Sequence, residues 1–445
     1  MLRRRRSAFA RLEGMSTPTI SSLVAATPTT RNRVVDLYRA VAITVVVLGH
    51  WLMAAVVVRD GTVVHTNILE TSTVPQGLTW VFQVMPLFFL VGGYSNATSW
   101  RSARAKGVTW ASWQRARLRR LMTPVVPLLL LWLAIATAAH LAGVPASLMR
   151  TASQTALVPT WFLAAYVLVV AVTPVTLALW ERLGWWSVVG GLALGGLVDW
   201  VSISSGQVLV GFVNYLIVWA TVHQLGYAWR DGQLASAWRR VALALVGLVG
   251  VSSLVALGPY PLSMIGIGGE VENSYPARIT MALLGMAQIG VALLAEAPLQ
   301  RWLQRRRPWT VTVAVNARIM TLYLWHLTAL NLVVGVSLLL GGVGLTTEPG
   351  TARWWLERPV WFVVLGVVTA GFIRLLGRLE NPAVERRPAP RAWQSALATV
   401  SVCGGLAVMA KSGIVDNTGV QWVWPLIPVA GLLATQTVPL RAFVR

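Results

Sequence analysis

The chain has 445 residues, 56% of them hydrophobic and only 12% charged, and its mean hydropathy is +0.64. A water-soluble domain cannot enclose that much apolar surface, so the composition excludes a soluble enzyme and points to an all-α polytopic membrane protein, at about 20 apolar residues per span. The formal charge of +22 at pH 7 sits between the apolar stretches, which reads as positive-inside topology and not as a nucleic-acid surface.

The spacing predicts a disordered cytoplasmic tail over 1–33, which carries Arg3 to Arg6 and then a stretch rich in Ser, Thr and Pro. It contains no apolar run suited to a signal peptide. Spans are expected near 34–58, 78–98, 121–143, 161–180, 185–204, 207–228, 237–257, 277–296, 312–340, 359–378, 394–411 and 421–440. The first ten form a membrane domain over 34–380, and 381–445 is expected to be a cytoplasmic linker followed by an extra pair of spans. The ninth region is overlong, so it is either one tilted helix or a short helix followed by a span. With the N-terminus inside, the basic residues keep to one side through every alternation, so both termini are expected in the cytoplasm of a cell membrane. The outside loops, near 59–77, 144–160, 258–276, 341–358 and 412–420, are too short to fold a catalytic domain. Chemistry is therefore expected among the membrane helices or at their mouths. The single cysteine, Cys403, excludes a cysteine metal cluster, and no metal site is expected.

Ionisable residues inside spans are costly and draw functional interest by default. The first span places Asp36, Arg39 and His50 on one face. Arg39 and His50 are eleven residues apart, hence within about 20° of each other and roughly 16 Å apart along the axis. Asp36, three residues before Arg39, can pair with it. Either this is a functional face, or Arg39 snorkels to the interface and His50 packs. The second span contains Pro86, expected to kink it, and Gly92-Gly93, which permit close helix approach. Beyond it, Arg117 and Arg120 form a basic cluster suited to topology, to lipid headgroups or to a ligand's phosphates. In the ninth region Tyr323 and His326 share a helix face, with Asn316 two turns earlier on the same stripe. Trp161-Phe162-Leu163 reads as an aromatic belt at the outer interface. His65, His140 and His223 lack polar company and read as structural.

These fragments, in this order, resemble the membrane acyltransferase-3 family, which includes the bacterial O-antigen and peptidoglycan O-acetyltransferases. The resemblance covers about 34–378. It rests on Val35-Asp36-Leu37-Tyr38-Arg39 with His50, on Phe88-Phe89-Leu90-Val91-Gly92-Gly93, on Arg117, Arg120 and Pro124, on Trp161 to Leu163, and on Tyr323 with His326. The chain departs from the family at Gly92, where the family carries a serine, and in the two spans after 390, which add to a ten-span core.

The resemblance implies transfer of an acyl group, often acetyl, from cytoplasmic acyl-CoA to a hydroxyl of an envelope glycan or glycolipid. On that view His50 is the general base, and Arg39 orients the donor or stabilises developing negative charge. Tyr323 and His326 position the acceptor or orient His50. Arg117, Arg120 and Asp36 serve the donor-binding end. The expected partners are acyl-CoA as a substrate, the acceptor and membrane lipids, with no bound cofactor and no nucleic acid. A rival from another class is a proton-coupled transporter or flippase with His50, His326 and Asp36 as a relay. Such proteins often show two-fold repeats, and no repeat relates the halves here.

Overall fold

The computed structural model describes residues 19–59, 62–266, 271–380 and 388–434. The first 18 residues of the expected tail lie outside these. Its last part carries a short helix, α1 (Ile20–Ala25), opened by the Thr19 hydroxyl, which accepts from the Ser22 amide.

The first span is α2 (Arg33–Met53), capped by the Asn32 side chain. It ends five residues short of the expected limit. From Ala54 the chain turns into an antiparallel hairpin, β1 (Ala54–Arg59) and β2 (Thr62–Asn67). The cause is local: Val57 and Val58 face Val64 and Val63, and β-branched side chains pack better across a pleated ladder than along a helix.

A helix α3 (Thr73–Phe82) and a longer one, α4 (Met85–Ala105), make the second crossing. The crossing breaks over Gln83–Val84, and Pro86 lies in the first turn of α4 just after that break. There its missing N–H costs nothing.

Helix α5 (Trp110–Met122) holds Arg117 and Arg120. It meets α6 (Val125–Leu141) at a 47° bend. Then come α7 (Ala146–Leu157), α8 (Thr160–Leu183), α9 (Trp185–Ser204), the single turn α10 (Val208–Gly211), α11 (Asn214–Arg230) and α12 (Ala237–Leu257). Helix α13 (Ile279–Leu294) bends by 51° into α14 (Glu296–Trp302).

The overlong ninth region resolves into a short helix, α15 (Arg306–Asn316), and a span, α16 (Ile319–Leu339). Helix α17 (Ala352–Leu376) closes the ten-span core. After it come α18 (Ala392–Ser412), a two-residue ladder of β3 (Val415–Asp416) and β4 (Gly419–Val420), and α19 (Val423–Ala434). Among the described residues nine helices are long and apolar enough to cross a membrane, or eleven when each bent pair counts once. The rest of the expected last span, beyond Ala434, lies outside the described residues.

Glycines set the closest crossings. A Cβ on Gly93 of α4 would lie 1.9 Å from the His223 carbonyl oxygen, and one on Gly226 of α11 would lie 2.2 Å from that of Leu90. No side chain fits between these backbones, so α4 and α11 touch directly. Helices α12 and α13 cross in the same way. A Cβ on Gly247 would stand 2.3 Å from the Ala287 nitrogen, and one on Gly290 2.5 Å from the Arg240 carbonyl.

Ion pairs tie the arginine-rich end of the bundle. Arg101 of α4 reaches Glu181 of α8 at 2.9 Å and Asp231 after α11 at 2.5 Å. Glu296 accepts from Arg240 at 2.5 Å, from the Trp229 indole at 2.8 Å and from Asn32 at 3.2 Å. At the opposite end Asp199 is fully buried and accepts from Asn214 at 2.8 Å, Tyr260 at 3.2 Å, Arg278 at 3.2 Å and the Ile279 amide at 2.8 Å.

The added helix α18 lies on α5 and α8. Ser395 donates to the Ala111 carbonyl at 3.1 Å, Gln114 to Thr399 at 3.2 Å, and Thr160 to the Leu406 carbonyl at 3.0 Å.

Candidate active site

The site is built where α2 lies against α16. The Trp51 indole donates to the His326 carbonyl at 3.0 Å, which pins the two helices beside their histidines. The first turn of α16 is held by Glu380, whose carboxylate accepts from the Thr321 amide at 2.8 Å and the Met320 amide at 3.2 Å. These are helix N-terminal donors with no partner inside the helix. Across the bundle, the Trp132 indole donates to Thr328 at 3.0 Å. The position of His326 is thus fixed from three sides.

His50 Nδ1 lies 2.9 Å from His326 Nε2. The rings are nearly parallel, at 8°, with centroids 5.2 Å apart. The other nitrogen of His326, Nδ1, is 2.7 Å from the Tyr323 carbonyl oxygen. A carbonyl only accepts, so His326 Nδ1 carries a hydrogen. Neutral His326 then has its lone pair on Nε2 and accepts from His50 Nδ1–H. By elimination His50 keeps a free lone pair on Nε2. His326 is fully buried, whereas His50 is half-buried, so the free nitrogen belongs to the more accessible ring. Tyr323 is 3% exposed. Its hydroxyl donates to the Pro159 carbonyl at 2.6 Å, and its ring stands 5.7 Å from that of Phe162, edge-on.

Eleven residues back along α2, Arg39 donates to Ser95 of α4 at 3.1 Å and stands 3.7 Å from Asp36. Asp36, with a side chain 6% exposed, also accepts two bonds from Arg31, at 2.6 and 2.7 Å. The hydrogen bonds it gives to Asp36 raise the Arg31 guanidinium above its ordinary pKa. Arg117 and Arg120 lie within electrostatic reach of Arg39. Arg117 stacks on Trp113, its guanidinium carbon 5.3 Å from the ring, and Arg120 is exposed. One helix therefore carries an imidazole with a free nitrogen in mid-bundle and, at its arginine-rich end, the edge of a cluster of cations with a single shared carboxylate.

The structure thus brings together His50, His326 and Tyr323 as one group, and Arg39, Asp36, Arg117 and Arg120 as a second. Two expectations need correction. Asn316 does not continue the Tyr323 stripe, because the helix breaks at Ala317–Arg318. Its amide instead donates to the Asp36 carbonyl at 2.8 Å. Phe162 is not part of an interfacial belt. It is 3% exposed and packs between Phe88, Phe89 and Tyr323. His223, read as structural, is fully buried with both ring nitrogens bonded, to Asn96 at 3.2 Å and to Tyr227 at 2.9 Å.

Sequence reasoning passed over several groups. Arg31 was assigned to a tail. Ser95 and Glu380 carry no signal beyond being polar residues near span ends. Asp199, a carboxylate inside an apolar run, was legible by its cost alone. Arg358, counted in an outside loop, lies within α17 at 9% exposure, 4.2 Å over the Trp354 ring.

Neither the curated proteins nor the solved structures include a match to this chain. The family model of the acyltransferase-3 domain, described as "Acyltransferase domain", matches residues 32–377. That interval runs from the cap of α2 to the end of α17, and so takes in both groups of site residues and the whole ten-span core. The chain belongs to the acyltransferase-3 family and is a multi-pass membrane acyltransferase.

Proposed function

We propose that this protein moves an acyl group, acetyl in the simplest case, from acyl-CoA in the cytoplasm to a hydroxyl of a cell-envelope glycan or glycolipid. The observation that carries the reading is the histidine pair, with its free nitrogen on His50, on the same helix as an arginine cluster one bilayer-half away. The arginine-rich end is then cytoplasmic, as the positive-inside bias favours.

The donor's phosphates lie among Arg39, Arg117 and Arg120, where charge-assisted bonds are strongest. Its thioester arm runs along α2 toward His50. His50 Nε2 takes the proton of the acceptor hydroxyl as the oxygen attacks the thioester carbonyl. His326 Nε2, accepting from His50 Nδ1–H, stabilises the imidazolium that forms. The tetrahedral intermediate collapses with cleavage of the carbon–sulfur bond. The thiolate leaves and receives the proton from His50, so the products are an ester and CoA, and both histidines return to their starting state.

The test is mass spectrometry of envelope glycans and lipids from cells with and without the gene, alongside acetyl-CoA binding to the purified protein. Loss of an acyl ester on deletion supports the reading. Unchanged esters together with no acetyl-CoA binding refute it.

A further inference from the structure

Gly92 stands where the resembling family carries a serine, and the space beside it is filled. A Cβ there would meet the Tyr166 ring at 2.8 Å and its hydroxyl oxygen at 3.2 Å. The missing side chain is therefore what admits Tyr166 of α8 to this face of α4. Three rings wall its aromatic body: Phe88 and Phe89 of α4, and Phe162 one turn away on α8, with centroids 5.7–6.0 Å from its own.

The hydroxyl ends a chain of hydrogen bonds whose direction is set by the Asn96 amide nitrogen, which only donates. Thr176 donates to backbone carbonyls, those of Val172 and Thr173, at 3.3 Å each. That leaves its oxygen open to accept from Tyr227, 2.9 Å away. The Tyr227 oxygen accepts in turn from His223 Nδ1–H at 2.9 Å, which leaves His223 Nε2 as an acceptor. Asn96 supplies the amide hydrogen to that nitrogen at 3.2 Å and donates its second to the Tyr166 oxygen at 3.4 Å. At each link one donor meets one acceptor. What remains is the Tyr166 O–H hydrogen, which has no acceptor among the described side chains in this chain of bonds. Tyr166 is half-buried, so that hydrogen has room to reach a ligand.

Its place in the bundle says which part of a ligand. Ser95 and Asn96 are adjacent on α4. Ser95 holds Arg39 and Asn96 holds Tyr166, so hydroxyl and guanidinium meet neighbouring positions of α4. Tyr166 is also within electrostatic reach of Arg117. On the other side Phe162, one turn before Tyr166 on α8, packs against Tyr323 beside His326, so the hydroxyl stands between Arg39 and the histidine pair.

We infer that Tyr166 is a donor-positioning residue that donates a hydrogen bond to an amide carbonyl of the donor's pantetheine arm. The inference rests on the acyl-CoA reading above. A thioester delivered to His50 from phosphates at the arginine cluster must pass this hydroxyl with its arm, and the arm's polar acceptors are its amide carbonyls. Among apolar rings a single well-aimed donor discriminates strongly, because an unpaired carbonyl there is costly.

The test is calorimetry on the full-length protein with acetyl-CoA and with adenosine 3′,5′-bisphosphate, which keeps phosphates but lacks the arm. Tyr166→Phe removes one oxygen and retains the ring. It should weaken acetyl-CoA binding about three- to tenfold and leave adenosine 3′,5′-bisphosphate binding unchanged. In transfer assays KM for acetyl-CoA should rise with kcat nearly constant. Gly92→Ala, which pushes the ring aside, should do the same to acetyl-CoA. Unchanged acetyl-CoA binding in Tyr166→Phe overturns the inference, as does an equal loss for both ligands. If the wild-type protein binds neither ligand, the acyl-CoA reading itself fails, a result distinct from either.

Discussion

His326 accepts a hydrogen bond from His50 across 2.9 Å while donating its own Nδ1–H to the Tyr323 carbonyl at 2.7 Å. This pairing favours unequal work for the two histidines. In the proposed mechanism the one that is buried and bonded at both nitrogens orients. The half-buried one, with Nε2 left over, is free to exchange a proton. The roles follow from a backbone oxygen, because a carbonyl cannot donate.

Arg117→Ala combined with Arg120→Ala should weaken acetyl-CoA binding at least about tenfold, since charge-assisted phosphate bonds contribute roughly 1.5–3 kcal/mol each. The protein should still elute as a folded monodisperse species, because Arg120 is exposed and Arg117 is only half-buried, stacked on Trp113. Calorimetry with unchanged affinity would assign both residues to topology alone.

Asp199→Leu should destabilise the fold by about 3–5 kcal/mol, because it leaves Arg278 buried, with a side chain 4% exposed, and without its carboxylate. The double change Asp199→Leu with Arg278→Met should recover part of that loss, as the stranded charge is gone. Thermal unfolding of detergent-solubilised protein measures both. A single variant as stable as wild type would mean the cluster is not a structural pin.

Gly93→Ala should lower the yield of folded protein sharply, because its Cβ would lie 1.9 Å from a backbone oxygen that has no rotamer with which to retreat. Overpacking of this kind costs about 1–3 kcal/mol or more. Gly366→Ala, where nothing lies within 4 Å, should be neutral. Size-exclusion profiles of the two variants provide the comparison, and equal behaviour would contradict the close α4–α11 crossing.

How much of this was legible depends on the range of the interaction. Spans follow from composition and local hydropathy, so the order of the ten in the core could be read directly, while the expected twelfth reaches the described residues only as the short α19. The Arg39–His50 register follows from helix geometry within one segment. The His50–His326 contact joins residues 276 positions apart, and no spacing rule reaches across two helices. Asn316 was misplaced for a related reason. The break before α16 is set by Glu380, which caps the new helix from 59 and 60 residues away, while the local sequence continues an apolar period. The hairpin after Met53 was missed because the window that detects a span scores a run of valines alike in helix and strand. Phe162 was read as a belt residue because an aromatic at a span end has two homes, the interface and the core, and only packing decides between them.

The central claim is that His50 is the base and His326 its orienting partner, and one transfer assay on two variants tests it most directly. Acetyl-CoA turnover with envelope acceptor is measured for His50→Ala and His326→Ala, with donor binding checked in each. A positioned general base contributes about 10²–10⁴-fold, so His50→Ala should lose at least that range while still binding acetyl-CoA. His326→Ala should retain more activity, because the free nitrogen of His50 survives without its partner. His326→Ala inactive beside a normal His50→Ala would contradict the assignment. Full activity in both would contradict the acyl-transfer mechanism at this site.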